Sequence, residues 1–258
     1  MANGDVTRYE LVDTAAWITL DAPASRNALS AAMVAELAAH LRTAIDDTHV
    51  RAVVLTGAGT AFCAGADLKS GGDMGRRSGG ANPFVEVLRL MRDGPKPVIA
   101  AVNGHAFGGG LGLVAAADIA IGVEGAKFSF SEVRIGVIPA MISVVVLPKI
   151  GEHHAMRLFL TGERFGAEQA RGYGLLHRVV AGDILKEAVG DEVSCIAKGG
   201  PNAVREAKRL VRTIPHLSEE EAFRYAQERI AELFSSQEAA EGMAAFIEKR
   251  PAKWVEKE

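Results

Sequence analysis

Residues 105–112 read HAFGGGLG and lie between two apolar runs, PVIAAVNG (97–104) and LVAAADIAIG (113–122). A glycine inside a regular element costs about 0.5–1 kcal/mol relative to alanine. Three in a row, with a fourth at Gly112, therefore point to a place where the backbone itself must approach something closely. An apolar strand that runs into glycine and then into a helix leaves the first helical N–H groups without intrahelical partners. Those donors, together with the helix dipole, suit an oxyanion or a phosphate. CAGADLK (63–69) has the same character, following the strand-like RAVVLTG (51–57) and a small-residue loop. Two such loops that converge could give one N–H each to a single oxygen, the arrangement that holds an enolate or a tetrahedral oxyanion. Tight packing of strand on helix is the other use of the same glycines, and local pattern does not choose between them.

The rest of the chain alternates short apolar strands with helices, the pattern of an α/β fold. YELVDTAAWITL reads as a strand segment that stops before Pro23. Helical spacing of Met33, Val34, Leu37, Ala38, Leu41 and Ile45 predicts a helix with Ser30 as its N-cap. VEVLRLMR and LGLVAAAD read as helices, and KPVIAAVNG, IAIGV and AKFSF as strands, without spacing regular enough to define a repeat. RRSGGANP (76–83) reads as a mobile loop. Beyond residue 200 the chain is helical throughout: Pro201 opens one helix, Ser218 and Glu221 form a capping box for a second, and a last helix is broken at Pro251. These amphipathic helices need a surface, either another subunit or the chain's own core. This change of texture divides the chain into a core over 1–200 and a helical region over 201–258, which the resemblance described below makes an oligomerisation region.

Twenty-nine Lys and Arg stand against 32 Asp and Glu, for a net charge of −3. No basic stripe marks a nucleic-acid surface; MGRRSGG and EAKRLVR are short clusters that read as solvated charge. Cys63 and Cys195 are too few for a disulfide framework or a zinc cluster, and their small and apolar neighbours predict buried, reduced thiols. No uncharged apolar run reaches membrane-spanning length and no signal-like segment opens the sequence, so a cytoplasmic protein without membrane association is expected. G-x-S-x-G, H-E-x-x-H, Walker and EF-hand patterns are absent, and GAGTAF and GGGLGL both lack the third glycine of a dinucleotide fingerprint. Adjacent His153 and His154 are not spaced to share a metal, and Asp118 reads as a helix-end hydrogen-bond partner. No metal is expected.

FSFSEVRIGVIPA (128–140) places Glu132 among apolar and small residues. A carboxylate there would be partly desolvated and its pKa raised, the condition for general acid–base work near neutral pH. An exposed glutamate, or one paired with Arg134, is the alternative.

RNALS, LTGAGTAFCAGADLK, KPVIAAVNGHAFGGGLGLVAAADIAI, AKFSFSEVRIGVIPA, LTGERFGAEQARGYGLLHRVV and EGMAAFIEKR occur in this order along nearly the whole chain. In these stretches the sequence resembles the enoyl-CoA hydratase/isomerase (crotonase) superfamily. The resemblance implies an α/β spiral of repeated ββα units followed by a C-terminal helical trimerisation region, assembled as a homotrimer or a dimer of trimers. It also implies an acyl-CoA thioester substrate, with coenzyme A as part of the substrate and no separate cofactor. Carried onto this sequence, the thioester oxygen would sit between the N–H groups of Ala66 and Gly109, with Gly108 clearing the approach. Ala64, Gly65, Asp67, Leu68 and Lys69 would contact the CoA moiety, and Arg26 would lie near its phosphates. Phe246 and Lys249 match positions that reach CoA from the C-terminal helices, in some cases across a subunit interface.

The best-known hydratases of this family use two glutamates. One is matched by Glu132; the other falls on Gly112, which has no side chain. Three activities follow. The first is an enoyl-CoA hydratase with Glu132 as acid and base, and IGVIPAMIS is similar to a subgroup acting on branched or carboxylated enoyl-CoAs of the methylglutaconyl type. Second is a Δ3,Δ2-enoyl-CoA isomerase, which shuttles one proton with one carboxylate. Third is an acyl-CoA-binding protein with little turnover.

Overall fold

Two sheets emerge from the strand runs because each run is split by a tight turn. The computed structural model describes residues 5–70 and 82–255. The first expected strand is in fact a hairpin, β1 (Thr7–Val12) and β2 (Ala15–Leu20), paired antiparallel. Its turn passes through Asp13 at φ +49°, a conformation that aspartate tolerates better than most residues. Helix α1 (Ala31–Asp46) follows, and Ser30 caps it by accepting from the Met33 N–H at 3.2 Å.

Three ββα turns come next: β3 (Ala52–Gly57), β4 (Ala61–Cys63) and α2 (Pro83–Asp93); β5 (Val98–Val102), β6 (His105–Phe107) and α3 (Gly109–Ala116); β7 (Ile119–Val123), β8 (Lys127–Ser129) and α4 (Ala140–Thr161). The repeat that strand spacing did not reveal is therefore present. In each turn the first strand enters one sheet and the second strand enters the other. After α4 come β9 (Phe165–Gly166), α5 (Ala167–Gly172), β10 (Arg178–Val180) and α6 (Leu185–Lys198). The larger sheet has the order β1-β2-β3-β5-β7-β10 and the smaller β4-β6-β8-β9. Parallel pairing runs from β2 to β10 in the first and from β4 to β8 in the second. Every residue of β5 is buried, as a parallel strand covered on both faces requires. One face packs on the main core, with Leu20, Leu55, Phe62, Leu111 and Phe128. The other packs Ile99, Ala101 and Ile121 against Val189 and Val193 of α6.

Asn27 ties the spiral together at the turn between β3 and β4. It is fully buried at φ +56°. Its Nδ2 donates to the carbonyls of Ala58 (3.0 Å), Ala61 (2.8 Å) and Phe62 (3.2 Å), and its Oδ1 accepts from the Ala22 N–H at 2.9 Å. The neighbouring Arg26 carbonyl accepts from the Ala64 N–H at 3.0 Å. RNALS thereby fixes the chain that leaves β4.

The helical tail comprises α7 (Pro201–Thr213), α8 (Glu219–Phe234) and α9 (Gln237–Glu248), with the expected capping box between Ser218 and Glu221. Asp118 does more than finish a helix. Its Oδ2 accepts from the Val98 N–H (2.8 Å) and meets Lys208 Nζ (2.7 Å), while Oδ1 meets Arg212 (3.2 Å), fastening α7 to the sheet. Lys208 also donates to the Met91 and Lys96 carbonyls, each at 2.8 Å. Helix α9 ends before Pro251, with Lys249 left-handed at φ +53°; a residue preceding proline disfavours the helical region, so the chain turns early. Cys63 is buried and its thiol is pushed up to about 12 by desolvation. Cys195, expected to be buried, is exposed, because α6 turns Leu185, Ala188, Val189 and Val193 inward instead. Residues 76–81 of RRSGGANP lie outside the described residues, while Asn82 and Pro83 open α2. No helix among the described residues is long and apolar enough to cross a membrane.

Replacing Asn27 with alanine leaves its backbone partners unsatisfied in a buried site. Unfolding free energy should fall by about 2–4 kcal/mol, read as a lower urea midpoint at unchanged m-value; a loss below about 0.5 kcal/mol would show that the turn holds without it.

Candidate active site

Two peptide planes decide the geometry of this site. In a trans peptide the carbonyl and the following N–H point in opposite directions. Beyond β4, the Gly65 carbonyl accepts from the Leu29 N–H at 2.8 Å, within a parallel bridge between Leu29 and Ala66. The Ala66 N–H is thereby turned away from Leu29. At the start of α3, the Gly108 carbonyl accepts from the N–H groups of Leu111 (2.9 Å) and Gly112 (3.2 Å). The Gly109 N–H is thereby turned out of the helix, at its positive end.

Each glycine has its own reason. Gly65 lies at φ +87°, and a Cβ there would stand 2.7 Å from the Phe107 carbonyl oxygen and 3.3 Å from the Gly109 nitrogen. The two loops are therefore in contact through backbone. Gly108 lies at φ +48°, with Glu132 Oε1 only 3.1 Å from where its Cβ would be. A Cβ on Gly109 would meet Leu29 at 2.7 Å, and one on Gly110 would meet the Cys63 carbonyl at 2.5 Å. The close approach that GGG predicts is real, and it is partly strand–helix packing: both uses of the glycines coexist.

Glu132 belongs to the short helical turn Ser131–Ile135 that follows β8. Its Oε2 is buried and has no hydrogen-bond partner among the described residues. Desolvation pushes its pKa above the ordinary carboxylate value. Arg134 does not neutralise it, since its guanidinium reaches the Thr161 carbonyl instead (3.4 Å).

These groups line one cavity of about 340 Å³. Of the residues singled out in the sequence, Ala64, Gly65, Ala66, Leu68, Gly108, Gly109 and Glu132 lie on its wall. Arg26, Asp67, Lys69, Phe246 and Lys249 do not. Asp67 accepts from the Lys69 N–H at 3.0 Å, and Phe246 projects from α9 with 86% of its surface exposed. Much of the remaining wall is hydrocarbon, including Phe84, Val137, Ile138, Met141 and Ile142, and Glu132 is its one titratable side chain among the described residues. Phe84 and Ile142 were not named as site residues in the sequence, although they fall in the stretch around 70–85 and in PAMISVVVL (139–147), the segments expected to set acyl-chain preference. The apolar start of PFVEV and the run PAMIS were the available signals, but neither carries a direction. No group of three or more His, Cys, Asp or Glu side chains among the described residues could hold a metal ion.

Gly112 does not leave a hole. A Cβ there would fall 2.3 Å from Ile142 Cγ2, 3.0 Å from Ile142 Cβ and 3.7 Å from Phe84 Cζ. Ile142 is itself 4% exposed. Its methyl thus fills the space into which a side chain at 112 would project. Gly112→Ala should cost about 1–3 kcal/mol by overpacking. In an Ile142→Ala background the same change should cost markedly less, giving a coupling of at least about 0.5 kcal/mol in a double-mutant cycle of denaturant unfolding; strict additivity would mean that the two residues do not compete for one space.

Residues 10–257 match the family model described as enoyl-CoA hydratase/isomerase. Carnitinyl-CoA dehydratase of Escherichia coli K12 is 35% identical over 248 residues, covering 92% of this chain and 93% of its own. The crystal structure of an enoyl-CoA hydratase from Shewanella pealeana superimposes with a TM-score of 0.90 at 31% identity, covering 96% of each chain. That of an enoyl-CoA hydratase/isomerase from Marinobacter aquaeolei gives 0.90 at 33% identity, covering 98% of this chain and all of its own. With this spiral and these glycine loops, the chain belongs to the enoyl-CoA hydratase/isomerase (crotonase) family of enzymes, which act on acyl-CoA thioesters.

Proposed function

We propose that the chain is an enoyl-CoA hydratase that adds water to a 2-enoyl-CoA with Glu132 as its single acid and base. The observation that carries this reading is the buried Glu132 Oε2, without a hydrogen-bond partner among the described residues, in the cavity lined by the outward-turned Ala66 and Gly109 peptides. The thioester oxygen is held by those two N–H groups. Glu132 takes a proton from water as the water oxygen bonds to Cβ. The Cα=Cβ electron pair moves toward the carbonyl, and negative charge gathers on the thioester oxygen. The enolate then recovers the proton from Glu132 at Cα, so that H and OH have been added across the double bond. Two fixed donors aimed at the developing charge are each worth about 10²–10³ in rate in comparable oxyanion holes.

A second reading, Δ3,Δ2-isomerisation, is favoured by the wall itself. Around Glu132 the described lining offers no second carboxylate to hold a water, and Ile142 fills the place beside Gly112. Glu132 would then remove the Cα proton of a 3-enoyl thioester and return it to the far end of the dienolate. For the acyl group, the described lining has no Lys or Arg to meet a distal carboxylate. This favours hydrocarbon acyl chains, branched ones included, over carboxylated ones of the methylglutaconyl type. Arg26, Asp67 and Lys69 are assigned to the CoA moiety. Phe246 and Lys249 are assigned to a neighbouring copy's CoA in a homotrimer or dimer of trimers. The exposed Phe223, Ile230, Phe234, Phe246 and Ile247 of the tail support such an assembly. A cytoplasmic location accords with the absence of a membrane-spanning helix among the described residues.

Mixing a 2-enoyl-CoA with the enzyme in water should abolish the conjugated thioester absorbance; if instead absorbance grows from a 3-enoyl-CoA and no 2-enoyl-CoA is consumed, the isomerase reading replaces hydration. Glu132→Gln should lower kcat by about 10²–10⁴ in either case, and retention of activity would remove Glu132 from the mechanism. Because ionised Glu132 is the proton acceptor, kcat/KM should rise with pH through a limb above the ordinary glutamate pKa. Stability has the opposite sign. Between the unfolded and the raised folded pKa the native state binds more protons, so unfolding free energy falls as pH rises through that window. Glu132→Gln should flatten both slopes.

A further inference from the structure

The geometry points to Ile142 as the residue that sets how wide an acyl group the cavity admits, with Gly112 as its required partner. The inference rests on the cavity being the acyl site. Ile142 lines the same cavity as Ala66, Gly109 and Glu132, so an acyl group that fills this cavity meets Ile142. Its Cγ2 occupies the position of a side chain at 112, which is possible only because that residue is glycine. Phe84 Cζ closes the same corner, lying 3.7 Å from the Cβ positions of both Gly109 and Gly112. The Ile142 side chain therefore stands between the buried helix α3 and the cavity. Helix α4 starts only two residues earlier, at Ala140, and one turn further along it Val145 and Val146, 5% and 0% exposed, belong to the same buried cluster as Ile142. An isoleucine packed in this way has nowhere to withdraw. The position is thus a fixed steric limit rather than an adaptable one, and close-packed surroundings make even one methyl group count.

Truncating Ile142 opens room toward α3 without touching the two peptide donors or Glu132. The group that gains is an acyl chain carrying an extra methyl near the reacting carbons. Carboxylate and CoA contacts are unchanged, so affinity for straight-chain thioesters should change little. One methyl group in a fitted hydrocarbon pocket discriminates by about ten-fold or more.

Saturated acyl-CoA thioesters, which have no double bond to hydrate or shift, test this by calorimetric titration of the full chain. For a straight-chain and a β-methyl-branched thioester of equal main-chain length, Ile142→Ala should raise the relative affinity for the branched one by about ten-fold. Ile142→Val should fall between Ala and wild type. Ile142→Leu, with the same volume and a different shape, keeps the test independent of a loss of folding, and should change the ratio in wild-type-like, stable protein. A ratio that is the same in all four proteins overturns the proposal. A shifted ratio with no turnover of any enoyl-CoA sustains it while rejecting the hydratase and isomerase readings. Failure of wild type to bind either thioester overturns it together with the acyl-site reading.

Discussion

The orientation of two peptide units governs everything else in this site. Both turn their carbonyls into the protein, one onto the Leu29 N–H and the other onto the first turn of α3. Each N–H is then aimed elsewhere by covalent geometry alone. No side chain could replace this arrangement with equal stiffness, because the donors are part of the hydrogen-bonded framework of β4, β6 and α3. The contact between Gly65 and the Phe107 carbonyl sets the spacing of the two loops, and it tolerates no Cβ. Hence the glycines: they are the condition for two strands and a helix to meet backbone to backbone.

In the proposed reaction, that framework makes the chemistry depend on desolvation. Beside the peptide donors the wall is largely hydrocarbon, and Glu132 Oε2 is buried there with no hydrogen-bond partner among the described residues, at a free-energy cost that a surface glutamate avoids. A raised pKa is the measure of that cost. The same surroundings that make the carboxylate a better base also strengthen the attraction of fixed N–H dipoles for a developing oxyanion. In the proposed hydration, stability given up at this one carboxylate is recovered in the transition state, the usual trade at a functional site.

Much of this could be read from residues. Ser30, Ser218 and Pro201 marked helix starts because capping is a local interaction with a local signature. The two glycine loops and Glu132 were legible because glycine and an isolated acid are rare in apolar surroundings. What stayed hidden depends on distant partners. Asn27 satisfies groups 31 to 35 residues away as well as Ala22, and nothing around RNALS specifies them. Asp118 looked like a helix end because its cations, Lys208 and Arg212, come from a helix that begins more than 80 positions later. The hairpin turn at Asp13 and the exposure of Cys195 were missed for a simpler reason: a polar pair inside an apolar run, and a cysteine on a helix, each fit two geometries.

Gly112 joins these two lessons. In sequence it is an absence, at the position where the resemblance to two-glutamate hydratases would place a carboxylate. In three dimensions it is one half of a contact whose other half, Ile142, arrives from the next ββα turn. Glutamate at 112 and isoleucine at 142 cannot share that space, since even a Cβ at 112 lies 2.3 Å from the isoleucine methyl. Losing the carboxylate and gaining the hydrocarbon wall are therefore one structural change. A chain that made only the first would carry a void beside Gly112, at a cost that grows with the volume left empty. One that made only the second would be overpacked. The missing side chain at 112 and the hydrocarbon wall at 142 are thus coupled through packing, so a change at either is felt at the other.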